Sequence, residues 1–178
     1  MEKNFLQNVI RQNKEGKHCG IYSCCSANYY VIKAVLKKAK EHNSVAVVEG
    51  TSNQINQFGG YTGMTPMDFR NFVQKIAEEV QLDMSQVILG GDHMGPLPWA
   101  KQSENQAMQN AKELVKQCVL AGFRKIHLDT SMLLGEESNL TDNVIARRGA
   151  ILAVAAEEAF QEYQKQYPEA EKPVYVIG

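Results

Sequence analysis

Several familiar signals are absent from these 178 residues. The four cysteines, Cys19, Cys24, Cys25 and Cys118, form no C-x-x-C pair and no zinc-ribbon spacing. Adjacent Cys24 and Cys25 suit reduced thiols in a strand better than a disulfide framework, so a cytosolic protein is expected. No apolar run approaches the ~20 residues of a membrane span, and the polar N-terminus has no signal-peptide core. The formal charge is only -1, with no basic stripe of the kind that binds nucleic acid. The densest basic run, "KAVLKKAK", reads as the solvated face of a helix. Two phosphate-binding glycine patterns are missing as well. "CCSANYY" lacks G-x-G-x-x-G after the first strand, and no G-x-x-x-x-G-K-[ST] occurs, so no nucleotide cofactor is expected. No linker, repeat or low-complexity tract divides the chain.

What is present is an alternation. Short apolar segments, "CGIYSC", "VAVVE", "QVILG", "KIHLD" and "VYVIG", read as five strands. Amphipathic segments between them read as helices. Ser26, Thr65, Ser103 and Thr141 are the predicted caps, and Asn43 and Gly122 the predicted stops. Thr65, Pro66 and Asp68 form a capping-box start, followed by a buried stripe of Phe69, Phe72, Val73, Ile76, Ala77 and Val80. In the preceding helix Val31, Ile32, Val35, Leu36 and Ala39 form the stripe. Strand and helix recurring at roughly 40 residues mean βαβ units and a parallel α/β sheet, either an open doubly wound sheet or a TIM-type barrel. The strands are expected to run parallel in sequential order with every helix on the outer face.

The strands share a polar C-terminal edge: "SCCSAN", "EGTSNQ", "GGDH" and "HLDTS". Parallel α/β folds bind their ligands at that edge. In "KIHLDTS", Ile126 and Leu128 are expected on the helices, with His127 and Asp129 pointing inward. His127 reads as a satisfied core histidine, and Asp129 as the better site residue. By the same alternation Glu49 shares a face with Val45 and Val47. Asp92 and His93 are neighbours, so both reach one site only if the backbone leaves the strand there. Gly90, Gly91 and Gly95 are the residues expected to permit the bend, leaving Asp92 past the strand's hydrogen bonds. An imidazole is a common metal ligand, and an adjacent carboxylate orients it or moves a proton. The loop "NQINQFGGYTGMTP" is long for a βα connection, and its amides and hydroxyls suit a polyhydroxylated ligand.

The motifs "EGTSNQINQFGGYTGMTPMDFR", "GGDHMGPLPW" and "KIHLDTSM" resemble the Z (GatZ/KbaZ-like) subunit of class II D-tagatose-1,6-bisphosphate aldolase, over essentially the whole chain. The resemblance implies a TIM barrel of the class II aldolase type, with residues 1–178 as the N-terminal part of a single (β/α)8 domain. About four βα units and a fifth strand make an incomplete barrel, since a full one takes ~250 residues. It also implies a non-catalytic subunit that supports the activity and stability of a catalytic aldolase subunit, in galactitol, N-acetylgalactosamine or tagatose catabolism. The alternative it carries is a metal-dependent ketose(-phosphate) aldolase or sugar 4-epimerase. By the match Asp92 is the candidate acid/base and His93 the candidate ligand of a divalent metal, zinc first. Glu49, Asn53, Gln54, Gln57, Asp129, Thr130 and Ser131 are the candidate substrate-binding residues for a phosphosugar. Some members of the family carry a tagatose-6-phosphate kinase label, but nothing in this sequence resembles a nucleotide site. Open edges on the first and fifth strands are expected to drive self-association or pairing with a second chain.

Overall fold

The computed structural model describes residues 5–177. Helix α1 (Phe5–Lys14) precedes strand β1 (Ser23–Cys25). Then come α2 (Tyr29–Glu41), β2 (Ala46–Thr51), α3 (Pro66–Val80), β3 (Val87–Met94), α4 (Glu104–Leu120), β4 (Lys125–Leu128), α5 (Asp142–Gln166) and β5 (Val174–Ile177). All four strand pairings are parallel, and the sheet order is β1-β2-β3-β4-β5. Helix α2 packs on α3, α3 on α4 and α4 on α5. A sequential parallel sheet whose successive helices lie side by side is the βα repeat of a TIM-type barrel. The chain forms four such units and a fifth strand, an α/β sheet consistent with an incomplete barrel. No helix among the described residues is long and apolar enough to cross a membrane.

Side-chain alternation sorts the sheet into two faces. Ala46, Val48, Val87, Leu89, Ile126 and Leu128 join Leu36, Phe69, Val73, Leu114 and Leu152 in one continuous core beneath the helices. Val47 and Ile88 are just as buried but stand apart from that core, on the inner face. Leu6 of α1 borders a small hollow with Ile88 and Val174, so α1 lies by the N-terminal ends of the strands. Sequence periodicity did not single out α1.

The caps explain where the helices begin. Thr65 and Asp68 form the reciprocal capping box, with Pro66 in the first turn. Ser103 and Thr141 cap α4 and α5. Asn43 and Gly122 take positive φ just past α2 and α4, as helix-stopping residues do. Two expectations are corrected. The cap of α2 is Asn28 rather than Ser26; its carboxamide oxygen accepts from the amides of Tyr30 and Val31. The Ser26 hydroxyl oxygen instead accepts from the Asn28 amide. That later start leaves Val31 exposed, while Ile32, Leu36 and Ala39 are buried. The first strand is also shorter than "CGIYSC": only Ser23–Cys25 pair with β2, because its neighbour begins at Ala46 and offers Val47, Val48 and Glu49 as partners.

One buried ion cluster fastens the connection between β4 and α5. Arg148 of α5 is fully buried. Its Nε donates to Glu104 Oε1 at 2.9 Å, one Nη to the Met132 carbonyl at 3.1 Å, and the other Nη to Glu137. Nearer β4, the Thr130 hydroxyl donates to the Ile145 carbonyl of α5 at 2.9 Å. The segment after β4 is therefore held to α4 and α5 from both ends.

Candidate metal-binding site at the strand ends

Strand β3 does not stop before Asp92. It runs to Met94, and Asp92 pairs with Thr51 of β2. The irregularity is a bulge: Gly91 pairs with Ile126 and Met94 with Leu128, so Asp92 and His93 together oppose the single residue His127. His93 carries the distortion at φ +50, a left-handed conformation that costs a non-glycine residue energy. Bulges are rare in parallel pairs and recur beside functional sites. This one answers the parity problem. It keeps Asp92 on the inner face, lets His93 turn to the same side, and returns Met94 to the outer core.

The three glycines have a role other than the expected bend, since none of them has a positive φ. They make room. A Cβ on Gly90 would lie 2.6 Å from Glu49 Oε1, and one on Gly91 would lie 2.5 Å from Met94 Cγ. A Cβ on Gly95 would lie 1.7 Å from the Asp129 carbonyl oxygen. The flanking glycines thus let β2, β3 and β4 close on one another around the polar residues.

Asp92, His93 and His127 offer one ligand atom each, all within 4.8 Å of one another. Asp92 Oδ1 lies 3.0 Å from His93 Nδ1 and 3.2 Å from His127 Nδ1, and the two imidazoles sit 4.3 Å apart, centroid to centroid. A carboxylate only accepts, so His127 Nδ1 donates its proton to Asp92, while His93 Nδ1 lies in close polar contact with the same oxygen. Burial disfavours the Asp92 charge, but hydrogen bonds from the Cys25 thiol and from His127, with the proximity and hydrogen bond of His93, outweigh it. The carboxyl is held below its usual range. The Cys25 thiol, pressed by burial and by the Asp92 carboxylate it serves, is pushed up to about 12 and stays protonated. Two imidazoles and a carboxylate are the donor set of many divalent-metal sites, and they fit zinc. An ion bound here would replace the proton that His127 now points at Asp92.

The remaining sequence candidates are spread around this cluster. Glu49 is buried at 2% exposure and is held by Lys125 Nζ at 2.5 Å. Asp129 Oδ1 accepts from the Ser131 amide at 3.0 Å and the Ser131 hydroxyl at 2.6 Å, closing a local turn. Thr130 spends its hydroxyl on α5, as described. Gln54 Oε1 accepts from the Thr51 amide at 2.9 Å, bracing the loop after β2. Gln57 donates to the Asn110 carbonyl of α4 at 3.0 Å. Asn53 is exposed and borders an open hollow with Asn56, Phe58, Tyr61 and Trp99. His127 is satisfied, as expected, and its partner is the Asp92 carboxylate, which makes it a neighbour of the candidate site as well. Lys125 and Cys25 went unnoticed. The signal for Lys125 was available in the alternation of β4, which places it with His127 on the face opposite Ile126 and Leu128.

A sequential parallel βα sheet with a carboxylate–imidazole cluster at its C-terminal edge places the chain among α/β proteins of TIM-barrel type. The chain belongs to the family described as "D-tagatose-1,6-bisphosphate aldolase subunit GatZ/KbaZ-like", whose model matches residues 6–178. It is similar to a crystal structure of a probable tagatose 6 phosphate kinase from Sinorhizobium meliloti 1021, with 42% identity and a TM-score of 0.81. That match covers 89% of this chain and 38% of the other, so this chain spans well under two thirds of that relative's length. The YdjI aldolase from Escherichia coli K12 aligns at 13% identity and a TM-score of 0.36, over 99% of this chain and 72% of that one. A likeness that weak bears on neither fold nor function.

Proposed function

We propose that this chain contributes the first part of a (β/α)8 barrel to a non-catalytic subunit of class II D-tagatose-1,6-bisphosphate aldolase. It acts in the cytoplasm beside a catalytic aldolase subunit, sustaining that partner's activity and stability in galactitol, N-acetylgalactosamine or tagatose breakdown. The observation that carries this reading is the family match over residues 6–178. Coexpression with the catalytic subunit tests it. The two chains are expected to copurify, and cleavage of D-tagatose 1,6-bisphosphate is expected to rise several-fold and survive heating longer. Separate elution, with unchanged activity of the catalytic subunit, contradicts the proposal.

A second reading rests on the Asp92–His93–His127 cluster. It makes the polar edge a divalent-metal site acting on a ketose or its phosphate, as an aldolase or 4-epimerase would. Such an ion polarises a carbonyl and stabilises the oxyanion that develops on it. His93, His127 and one oxygen of Asp92 would hold the ion. Asp92, already ionised, is set to accept a proton from a ligand hydroxyl and later return it, so it acts as a base before it acts as an acid. Asn53, Ser131 and the loop after β2 lie at the same edge, where a ligand's hydroxyls and phosphate would be received. The kinase label of the Sinorhizobium relative is not carried over, because this sequence holds neither glycine-rich phosphate motif. Zinc-dependent turnover of a ketose phosphate by this chain alone supports the second reading.

A further inference from the structure

We propose that Lys125, anchored by Glu49, is the cationic ligand-binding group of the inner face and takes an oxygen of the ketose beneath the Asp92–His93–His127 cluster. The inference rests on the second reading above and extends it to a residue outside the cluster. On the inner face the register stacks two layers. Glu49, Gly90 and Lys125 form one, and Thr51, Asp92 and His127 form the next toward the C-terminal ends of the strands. Lys125 is thus the inward neighbour of His127, two residues earlier on the same strand.

The pair itself is unusual. Glu49 is almost wholly enclosed, with a side chain 3% exposed, and Lys125 keeps 19%. Gly90 leaves the space that the Glu49 carboxylate fills. Enclosing opposite charges costs desolvation that their attraction barely repays, so a buried ion pair is weak evidence of a stabilising role. What Glu49 does accomplish is orientation. It fixes one end of a long, flexible side chain through the 2.5 Å contact to Nζ. An ammonium has three donors. One hydrogen bond to Glu49 is in place, which leaves Lys125 able to donate to an incoming oxygen.

The charges agree with this assignment. Asp92 contributes one negative charge, and Glu49 and Lys125 cancel. A divalent ion on the cluster would leave Asp92, Glu49, Lys125 and the ion together with one net positive charge. That pole suits an oxygen-rich ligand whose carbonyl and hydroxyls develop negative character, and Lys125 supplies its second cationic contact. Glu49, a ligand-contacting candidate on sequence grounds, acts through Lys125 and is a positioning residue.

Titration calorimetry of the full chain, with zinc first and then D-tagatose 6-phosphate, tests the proposal. The variants are Lys125→Met and the double variant Lys125→Met with Glu49→Gln, which removes both charges and leaves no buried ion unpaired. Both are expected to bind zinc like the wild type and to bind the ketose phosphate at least roughly tenfold more weakly, the scale of one lost charged hydrogen bond. The double variant is the sharper probe: it is expected to melt with the wild type and still bind poorly. Wild-type ketose affinity in a folded double variant overturns the proposal and leaves the pair a structural one. If the wild type binds zinc but no ketose phosphate, the proposal for Lys125 also fails while the metal reading stands. If the wild type binds no zinc, the metal reading fails with it.

Discussion

Replacing Arg148 with methionine is expected to cost about 3 kcal/mol and to lower the melting temperature by roughly 6–12 °C. The guanidinium is fully buried and meets three partners from separate segments: Glu104 at the start of α4, and Met132 and Glu137 in the connection after β4. Methionine fills much of the stem's space but leaves the Met132 carbonyl and Glu137 Oε1 without the Arg148 donors, while Glu137 Oε2 keeps the Leu134 amide. Lysine is expected to rescue little, because a single ammonium does not reproduce the fork that reaches three acceptors. Acid sensitivity gives an independent reading. The hydrogen bond from Arg148, aided by Arg147 and opposed by burial, holds the Glu104 carboxyl below its usual range. A lowered folded value means that this contribution is present in full above the unfolded glutamate range near ~4.3 and is lost as pH falls through the lower folded value. The methionine variant should lose that part of the acid profile. A drop of under two degrees in thermal melts, with an unchanged acid limb, contradicts the clamp.

His127→Ala and Asp92→Ala are expected to weaken zinc binding on the order of a hundredfold or more, since even outlying partners of metal ligands contribute ten- to hundredfold. Each removes one of three donors that already lie within 4.8 Å. Neither change is expected to unfold the chain. The inner-face side chains of Asp92 and His127 are 21% and 15% exposed, so water replaces what is lost. Asp92→Asn is likewise expected to keep the fold while losing affinity, because the amide keeps the shape without the charge. Competition with a chromogenic chelator, read beside circular dichroism melts, separates the two effects. Equal loss of melting temperature and affinity would mark the cluster as structural.

The legible part of this molecule was the part written locally. Thr65, Pro66 and Asp68 announce a helix start within four residues, and β3 and β4 show their buried runs directly. Sequential order followed from the unbroken βα alternation, because parallel crossovers have one favoured hand. The less legible part depends on partners far apart in the chain. Nothing near Glu49 announces Lys125, 76 positions on, and only the register of β2, β3 and β4 brings them together. The bulge at Asp92 and His93 is similar: two residues against one is a property of the pairing with β4. Arg148 sits in "ARRG", one of two adjacent arginines in a helical run, and only packing decides that it is buried while Arg147 stays exposed. The glycines of "GGDHMG" invite a reading as flexible hinges, whereas close strand contacts explain them.

The central claim is that the bulged end of β3 and the face of β4 together build one divalent-metal site. The most direct measurement is an anomalous difference map from crystals grown with zinc, recorded above and below the zinc absorption edge. The account predicts a single strong peak within bonding distance of Asp92, His93 and His127. A zinc-soaked crystal with no peak there, and with both imidazoles still in contact with Asp92, would contradict it.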